Sequence, residues 1–491
     1  MKTISGKYHR IYLALLVAVW AGLLFQLRQT YFADGRKAVY LSLATGLHEL
    51  PDEIEWMNIL LNGKKVGHSY SAIKALSTGG YAVENMIDFN TIIAGMPVRV
   101  TTTSHAETDS EFHYRSFDWQ VVSGFYSTSI SGEISGGKAL IRRIEAGDTT
   151  SQEIPLPQEI YPSQVVRHLL AQRGIRAGEQ LILPVYEPLS RETVELVITH
   201  EGRADLQLDS ATLSLNKIRI MYGDLPTWLW LDDNGIAYRE EGLLGLVLER
   251  TTVQDAMTGK LDFGDLDLAE FYAVPVRGKI DNPRQVGDLT LTVSGIGAVP
   301  PPALVRYQVS APAEDQITVH LSNRPRSLDD SDSSIYTTAT ALIQADSPLI
   351  GEQAREIVGD LDVPLAQVRA LTDWVYRSLD KVAVANLASA VEILKQRQGD
   401  CSEHTTLFTA LARNRGIPTR IFMGLVYLDG KFLYHAWPAV LLDEGWLAVD
   451  PTFGQVPADA THLPLLEGDF SGLSELAPLL GRISLIVEDY Q

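Results

Sequence analysis

Gly399-Asp400-Cys401-Ser402-Glu403-His404, continuing through Thr405 to Arg415 and closing on Gly416-Ile417-Pro418, contains the single cysteine of a 491-residue chain. Leu407, Phe408, Leu411 and Ala412 recur at helical spacing, and Gly416 with Pro418 stops the run. Asp400 and Glu403 have the D-x-x-E spacing of a capping box, which predicts a helix starting at Asp400 with Cys401 as its first residue. A thiol placed there faces unpaired backbone N–H groups and the positive end of the helix dipole, and both lower its pKa. The dipole contributes only about 0.3 to 1 kcal/mol, less than one pKa unit, so a thiolate needs another partner.

Two following strands can supply it. Thr419 to Leu428 and Lys431 to Leu442 flank the turn Asp429-Gly430, and Trp446 to Asp450 returns after Asp443-Glu444-Gly445. His435 lies on the middle strand and Asp450 ends the last. A turn centred near Glu444 sets His435 opposite about Phe453, so Asp450 is out of register by roughly three residues unless a bulge or stagger intervenes. Pro438, which has no N–H to give a ladder, is a natural place for that irregularity. Cys401 as nucleophile, His435 as its proton partner and Asp450 as the orienter of the imidazole would make an acyl-transfer centre, with the Cys401 N–H as one oxyanion donor. A rival use of the same residues is zinc binding by Cys401, His404, His435 and Asp450, one sulfur, two nitrogens and one oxygen. His404 is equally well explained as a first-turn residue beside the cleft.

GDCSEHTTLFTALARNRGIPTRIFMG followed by YHAWPAVLLDEGWLAVDPT resembles the core of the transglutaminase-like superfamily of papain-type cysteine enzymes, over about Tyr336 to Val456. The resemblance implies Cys401, His435 and Asp450 as a catalytic triad working through a thioester, and implies no cofactor. The run from Gly454-Gln455 to Ala458-Asp459-Ala460-Thr461-His462 is similar to a bacterial branch of that superfamily. Animal transglutaminases use an upstream tryptophan at the oxyanion, but Trp374 is explained by the helical stripe Leu365, Val368, Leu371, Val375 and Leu379 and reads as core. The calcium loops of the animal enzymes have no counterpart, so calcium-dependent crosslinking is not implied. Cleavage of a peptide or amide is expected ahead of transamidation. A non-catalytic envelope-binding or scaffold role is the alternative.

Sixty-one acidic against 41 basic residues give a net charge of −20, which speaks against nucleic acid as a partner. One cysteine excludes an internal disulfide and a multi-cysteine zinc site. Ile11 to Leu27 is uncharged, preceded by Lys2, Lys7 and Arg10 and closed by Arg28. It reads as an uncleaved signal anchor, with the chain beyond it outside the membrane and a peptide or protein of the cell envelope as substrate. The expected fold class is therefore α+β: a cytoplasmic tip and transmembrane helix in residues 1–30, a β-rich domain at 50–265, a second β-rich segment and linker at 266–330, and a transglutaminase-like catalytic domain at 336–491. Within the first β-rich region Asn62-Gly63 marks a hairpin, and Ser163 is expected to cap a helix whose apolar face is Val165, Val166, Leu169 and Leu170. Ser327 to Ser334 reads as an acidic linker rather than a calcium loop, which would need a Gly and a closing Glu.

Overall fold

Alternation of apolar and polar residues builds most of this chain. The strand Glu53–Leu61 buries Glu55, Met57, Ile59 and Leu61 on one face. Asn62 and Gly63 follow with φ of 49° and 74°, the two left-handed residues of a tight hairpin turn, and Lys64–Ala75 returns with Leu61 opposite Lys64. Repetition of this unit gives one sheet of fourteen strands. Eight strands run in sequence order from Glu53–Leu61 to Asp148–Pro155; six more, from Gln180–Glu187, lead back to Leu246–Thr251, which pairs antiparallel with Glu53–Leu61. Both runs drop apolar side chains into one core, Phe117, Ile130 and Ile141 from the first and Leu183, Ile198 and Ile218 from the second. The helix Val166–Arg173 fills it with Leu169 and Leu170. Ser163 does not cap that helix: it lies inside a preceding 3-10 turn, Ser163–Val165, which starts at Pro162 with no side-chain cap.

The structure is a computed structural model that describes residues 53–491 apart from short internal stretches, the longest being 259–266 and 469–475. The chain divides into two compact units, one holding residues 53–91 and 99–264, the other residues 92–98 and 265–491. In the second unit the C-terminal strand Ser484–Tyr490 sits between Val276–Arg277 and Asp288–Ser294 in a five-stranded sheet. A separate four-stranded sheet has the order Gly445–Ala448, Lys431–Leu442, Thr419–Leu428, His462–Glu467. Four helices, Pro348–Val358, Pro364–Ser378, Ala390–Gln396 and Cys401–Asn414, pack with it. Cys401–Asn414 touches the other three helices and two of the strands, so every residue from Cys401 to Ala412 is buried. A helix enclosed all round needs little amphipathicity, and Leu407, Phe408 and Leu411 each contribute about 1.5–3 kcal/mol of burial.

The expected fold class needs correction. Strands hold 54% of the described residues against 20% for helices, so the transglutaminase-like part is a minor portion of a strand-dominated chain. No helix among the described residues is long and apolar enough to cross a membrane, and the run Ile11 to Leu27 lies outside them. The physical reason for the excess of strand is visible in the first unit, where short turns such as Asn62-Gly63 and Gly136-Gly137 join long alternating segments, and the described α-helices are only Val166–Arg173 and Val253–Met257. Trp374 is also not core: it is half-buried, with the Arg397 guanidinium 4.4 Å from its ring, while Val368, Leu371 and Val375 carry the buried stripe.

Candidate active site

Cys401 opens its helix through the capping box that its neighbours predict. The Asp400 carboxylate accepts from the Ser402 N–H at 3.1 Å and the Glu403 carboxylate from the Asp400 N–H at 2.9 Å. Gly399 makes the box possible, because at φ +149° its missing Cβ would stand 2.3 Å from the Glu403 Cβ. The helix then lies on the strand Lys431–Leu442: Thr405 Oγ1 donates to the Ala436 carbonyl at 3.1 Å, and the Cys401 sulfur accepts from the backbone N–H of Ala436, the residue after His435.

The Asp450 side chain reaches His435 because its strand leaves the ladder. Leu442 pairs with Gly445 and Ala439 with Ala448, a register that would set Thr452 opposite His435. The Val449 N–H still donates to the Pro438 carbonyl at 2.9 Å, but Pro438 has no N–H to return the bond, and the pairing stops there. The chain folds into a turn closed by mutual Asp450 and Gln455 backbone bonds of 2.9 and 2.8 Å. Asp450 thereby stands where its Oδ2 accepts from His435 Nε2 at 2.8 Å, while its Oδ1 takes the N–H groups of Thr452 at 2.7 Å and Phe453 at 3.0 Å.

A fourth residue enters that the spacing argument did not assign. His462 Nε2 lies 3.0 Å from the same Asp450 Oδ2, and its Nδ1 lies 2.9 Å from the Asp459 carbonyl. Gly424 lets it approach: this residue pairs with His435 on one side and Pro464 on the other, and a Cβ there would meet the Leu463 carbonyl at 2.1 Å. Asp459 in turn faces the Arg284 guanidinium at 3.0 Å. The available signal was a histidine and an aspartate three residues apart, Asp459 and His462, leading into the apolar strand Leu463 to Leu466.

Electrostatics divide these groups. Burial, then the Asp400 carboxylate, push the Cys401 thiol well above its ordinary pKa, opposed only in part by the Ala436 backbone bond. The expected lowering by the helix terminus is thus overridden in the closed site. Burial also lowers His435, outweighing Asp450, with His462 and Arg284 adding to the lowering. Burial would raise Asp450, but His435 and His462 hold it well below the carboxylate range. Burial opposes charge on His462 too, and there Asp459 and Asp450 prevail and raise it to about 9. Buried Glu403, next to Asp400, is raised well above its ordinary value. At rest the centre holds a thiol, a neutral His435, an ionised Asp450 and a protonated His462.

The proposed zinc set does not assemble. His404 places Nδ1 2.6 Å from the Asp400 carbonyl and is lowered to about 4 by burial, and neither it nor Cys401 joins a ligand cluster among the described residues. His435, Asp450 and His462 do converge within 4.8 Å, but hydrogen bonds account for that spacing. Both ring nitrogens of His462 face oxygen acceptors, so the ring has no lone pair for a metal.

No curated protein matches the chain. Among solved structures, a candidate cysteine protease of Cytophaga hutchinsonii is 16% identical over 42% of this chain and 86% of its own, with a TM-score of 0.27. A β-barrel-like protein of Brucella abortus is 8% identical over 41% of this chain and 95% of its own, with a TM-score of 0.32. A candidate protease of Parabacteroides distasonis is 11% identical over 70% of this chain and 69% of its own, with a TM-score of 0.18. The family model for the transglutaminase-like superfamily matches residues 351–451, which span the cysteine helix, the histidine strand and Asp450. Residues 351–451 are therefore a transglutaminase-like domain.

Proposed function

We propose that this domain is a cysteine acyl-transfer enzyme acting on a peptide or amide carbonyl, with Cys401, His435 and Asp450 as its catalytic residues. The observation that carries the reading is the convergence of a helix-opening cysteine, bonded to the backbone beside His435, with a 2.8 Å His435–Asp450 pair in a wholly buried setting. Asp450 occupies Nε2 and so fixes the tautomer; Nδ1 is the nitrogen through which His435 exchanges a proton with the thiol. The thiol proton passes to Nδ1 as sulfur bonds the carbonyl carbon, and the leaving amine takes it back as the C–N bond breaks. The Cys401 N–H at the helix start is the oxyanion donor that the fold offers.

Water then resolves the thioester in the favoured hydrolytic reading. Amine transfer is the second reading, and the burial of Cys401, His435 and Asp450 favours it, because an acceptor amine competes best where water is excluded. The test is a peptide epoxide followed by intact-mass analysis. Cys401 should be labelled, and Cys401→Ala and His435→Ala should lose or greatly slow the labelling. A folded protein that leaves Cys401 unlabelled, or labels equally without His435, overturns the reading. Adding a primary amine to a cleavable amide substrate separates the two outcomes by product mass.

A further inference from the structure

Asp450 is shared by two imidazoles with opposite surroundings. His435 presents one nitrogen to Asp450 and lies beside the residue that bonds Cys401. His462 presents Nε2 to Asp450 at 3.0 Å and Nδ1 to the Asp459 carbonyl at 2.9 Å, with Asp459 Oδ1 at 3.5 Å. A neutral imidazole carries one N–H and can satisfy only one of these acceptors. Asp450 is a poor source of the missing proton, since its Oδ1 already accepts the Thr452 and Phe453 N–H groups and its Oδ2 also faces His435 Nε2. The ring is therefore an imidazolium, enclosed by two carboxylates and by the rings of Trp437 at 5.0 Å and Phe453 at 6.2 Å. The charged and titratable groups that face it are Asp450, Asp459 and His435, whose ring centroid is 5.7 Å away, with Arg284 beyond Asp459.

We infer that His462 is a positioning residue for the thiol chemistry, a buried cation at neutral pH that holds Asp450 ionised and oriented and, by sharing that carboxylate, makes His435 a weaker base and a stronger acid. The inference rests on the Cys401–His435–Asp450 reading. Its chemical consequence falls on the second proton transfer. Once the thiol proton is on His435 Nδ1, the ring must deliver it to a poor leaving group, an amide nitrogen, and a neighbouring positive charge favours that delivery. The cost falls on the first transfer and adds to the burial that already raises the Cys401 thiol. The raised His462 and lowered His435 agree with this division of labour.

The experiment compares His462→Gln with wild type by two rates across pH 6 to 10: alkylation by iodoacetamide, which reports thiolate, and cleavage of the peptide amide that wild type turns over. Without the imidazolium, His435 becomes more basic. Alkylation at neutral pH should rise about tenfold, the equivalent of one pKa unit, while amide cleavage falls. His462→Gln in a His435→Ala background guards against simple exposure of the thiol: the acceleration should vanish there. An unchanged pH profile, or the same acceleration without His435, overturns the inference. A wild-type profile indifferent to His435→Ala overturns the underlying triad reading instead, so the two failures are distinct.

Discussion

Each unit of this protein buries a histidine among carboxylates and an arginine, and the two clusters behave differently. In the first unit His168 Nε2 lies 2.9 Å from Glu53, while Arg167 pairs with Glu55, and Arg250 stands 3.8 Å from Glu55. These bonds tie the helix Val166–Arg173 to the strand Glu53–Leu61. Burial lowers His168 despite Glu53, so it is a neutral ring in a structural clasp. In the second unit Asp459 and Asp450 raise His462, Asp450 takes four hydrogen bonds, and a second imidazole, His435, lies next to the residue whose backbone bonds Cys401. Perturbed titratable groups therefore do not by themselves mark a site. What separates the two clusters is a cysteine bonded to the backbone next to one imidazole, and a carboxylate shared by two imidazoles shifted in opposite directions.

Removing the thiol should separate the clusters most. Cys401→Ala is expected to abolish cleavage, a loss of at least about a thousandfold, whereas His168→Gln should cost some stability and leave turnover of the folded protein unchanged. Comparable losses of turnover in both variants, measured on a peptide amide with thermal melts alongside, would break the distinction. Next in size is Asp450→Asn. An amide can no longer favour the required tautomer of His435, and it leaves His462 short of one counter-charge. Turnover should fall by about a hundred- to ten-thousandfold, with destabilisation on the order of 3 kcal/mol.

The histidines also give the clusters different pH dependences. His462, raised in the fold to about 9, contributes stability that is complete below its unfolded value near 6.5 and is lost as pH rises through 9. The 2.5-unit difference amounts to about 3 kcal/mol at most. His404, lowered to about 4, has the opposite sign: its contribution is present above pH 6.5 and lost as pH falls toward 4. His168 is also lowered, so the clasp histidine's contribution is likewise present above about pH 6.5 and lost only on the acid side. Thermal melts from pH 5 to 10 should show an alkaline loss that His462→Gln removes and His168→Gln does not.

Two glycines give the smallest contrast. Gly424→Ala drives a Cβ into the Leu463 carbonyl, 2.1 Å away, and must displace the strand that carries His462, costing about 1–3 kcal/mol and also activity. Gly63→Ala meets nothing within 4 Å and strains only a turn at φ +74°, so about 1 kcal/mol and no change in turnover is expected. Denaturant midpoints and turnover measured together test both. Loss of turnover in Gly63→Ala would show that the two regions are not independent.

Local signals were legible where local physics decides the outcome. The capping box at Asp400 and Glu403 sets the start of the cysteine helix, and Asn62-Gly63 and Asp429-Gly430 set their hairpins through left-handed backbone conformations that few other residues tolerate. Pro438 was readable as a break in pairing because a missing N–H is a property of the residue itself. Ser163 failed as a cap because a proline one residue earlier started a tighter turn, a competition that propensity does not resolve. The sign of the Cys401 shift was also out of reach. The helix terminus is a local feature, whereas burial by three helices and a sheet is not.

The sequence by itself singled out the proposed nucleophile, since one thiol at a capped helix start admits few alternatives, and it determined the order of Cys401, His435 and Asp450 along the chain. Only the tertiary structure decided that His462 joins them. Its partners Asp450 and Asp459 lie 12 and 3 residues away, yet the proton count proposed for it depends on two oxygens, Asp450 Oδ2 and the Asp459 carbonyl, meeting its two ring nitrogens in a buried interior. Hydrogen-bond saturation is a property of the assembled site. No window of sequence contains it, because the donors come from one turn, Thr452 and Phe453, and two separate strands, His435 and His462.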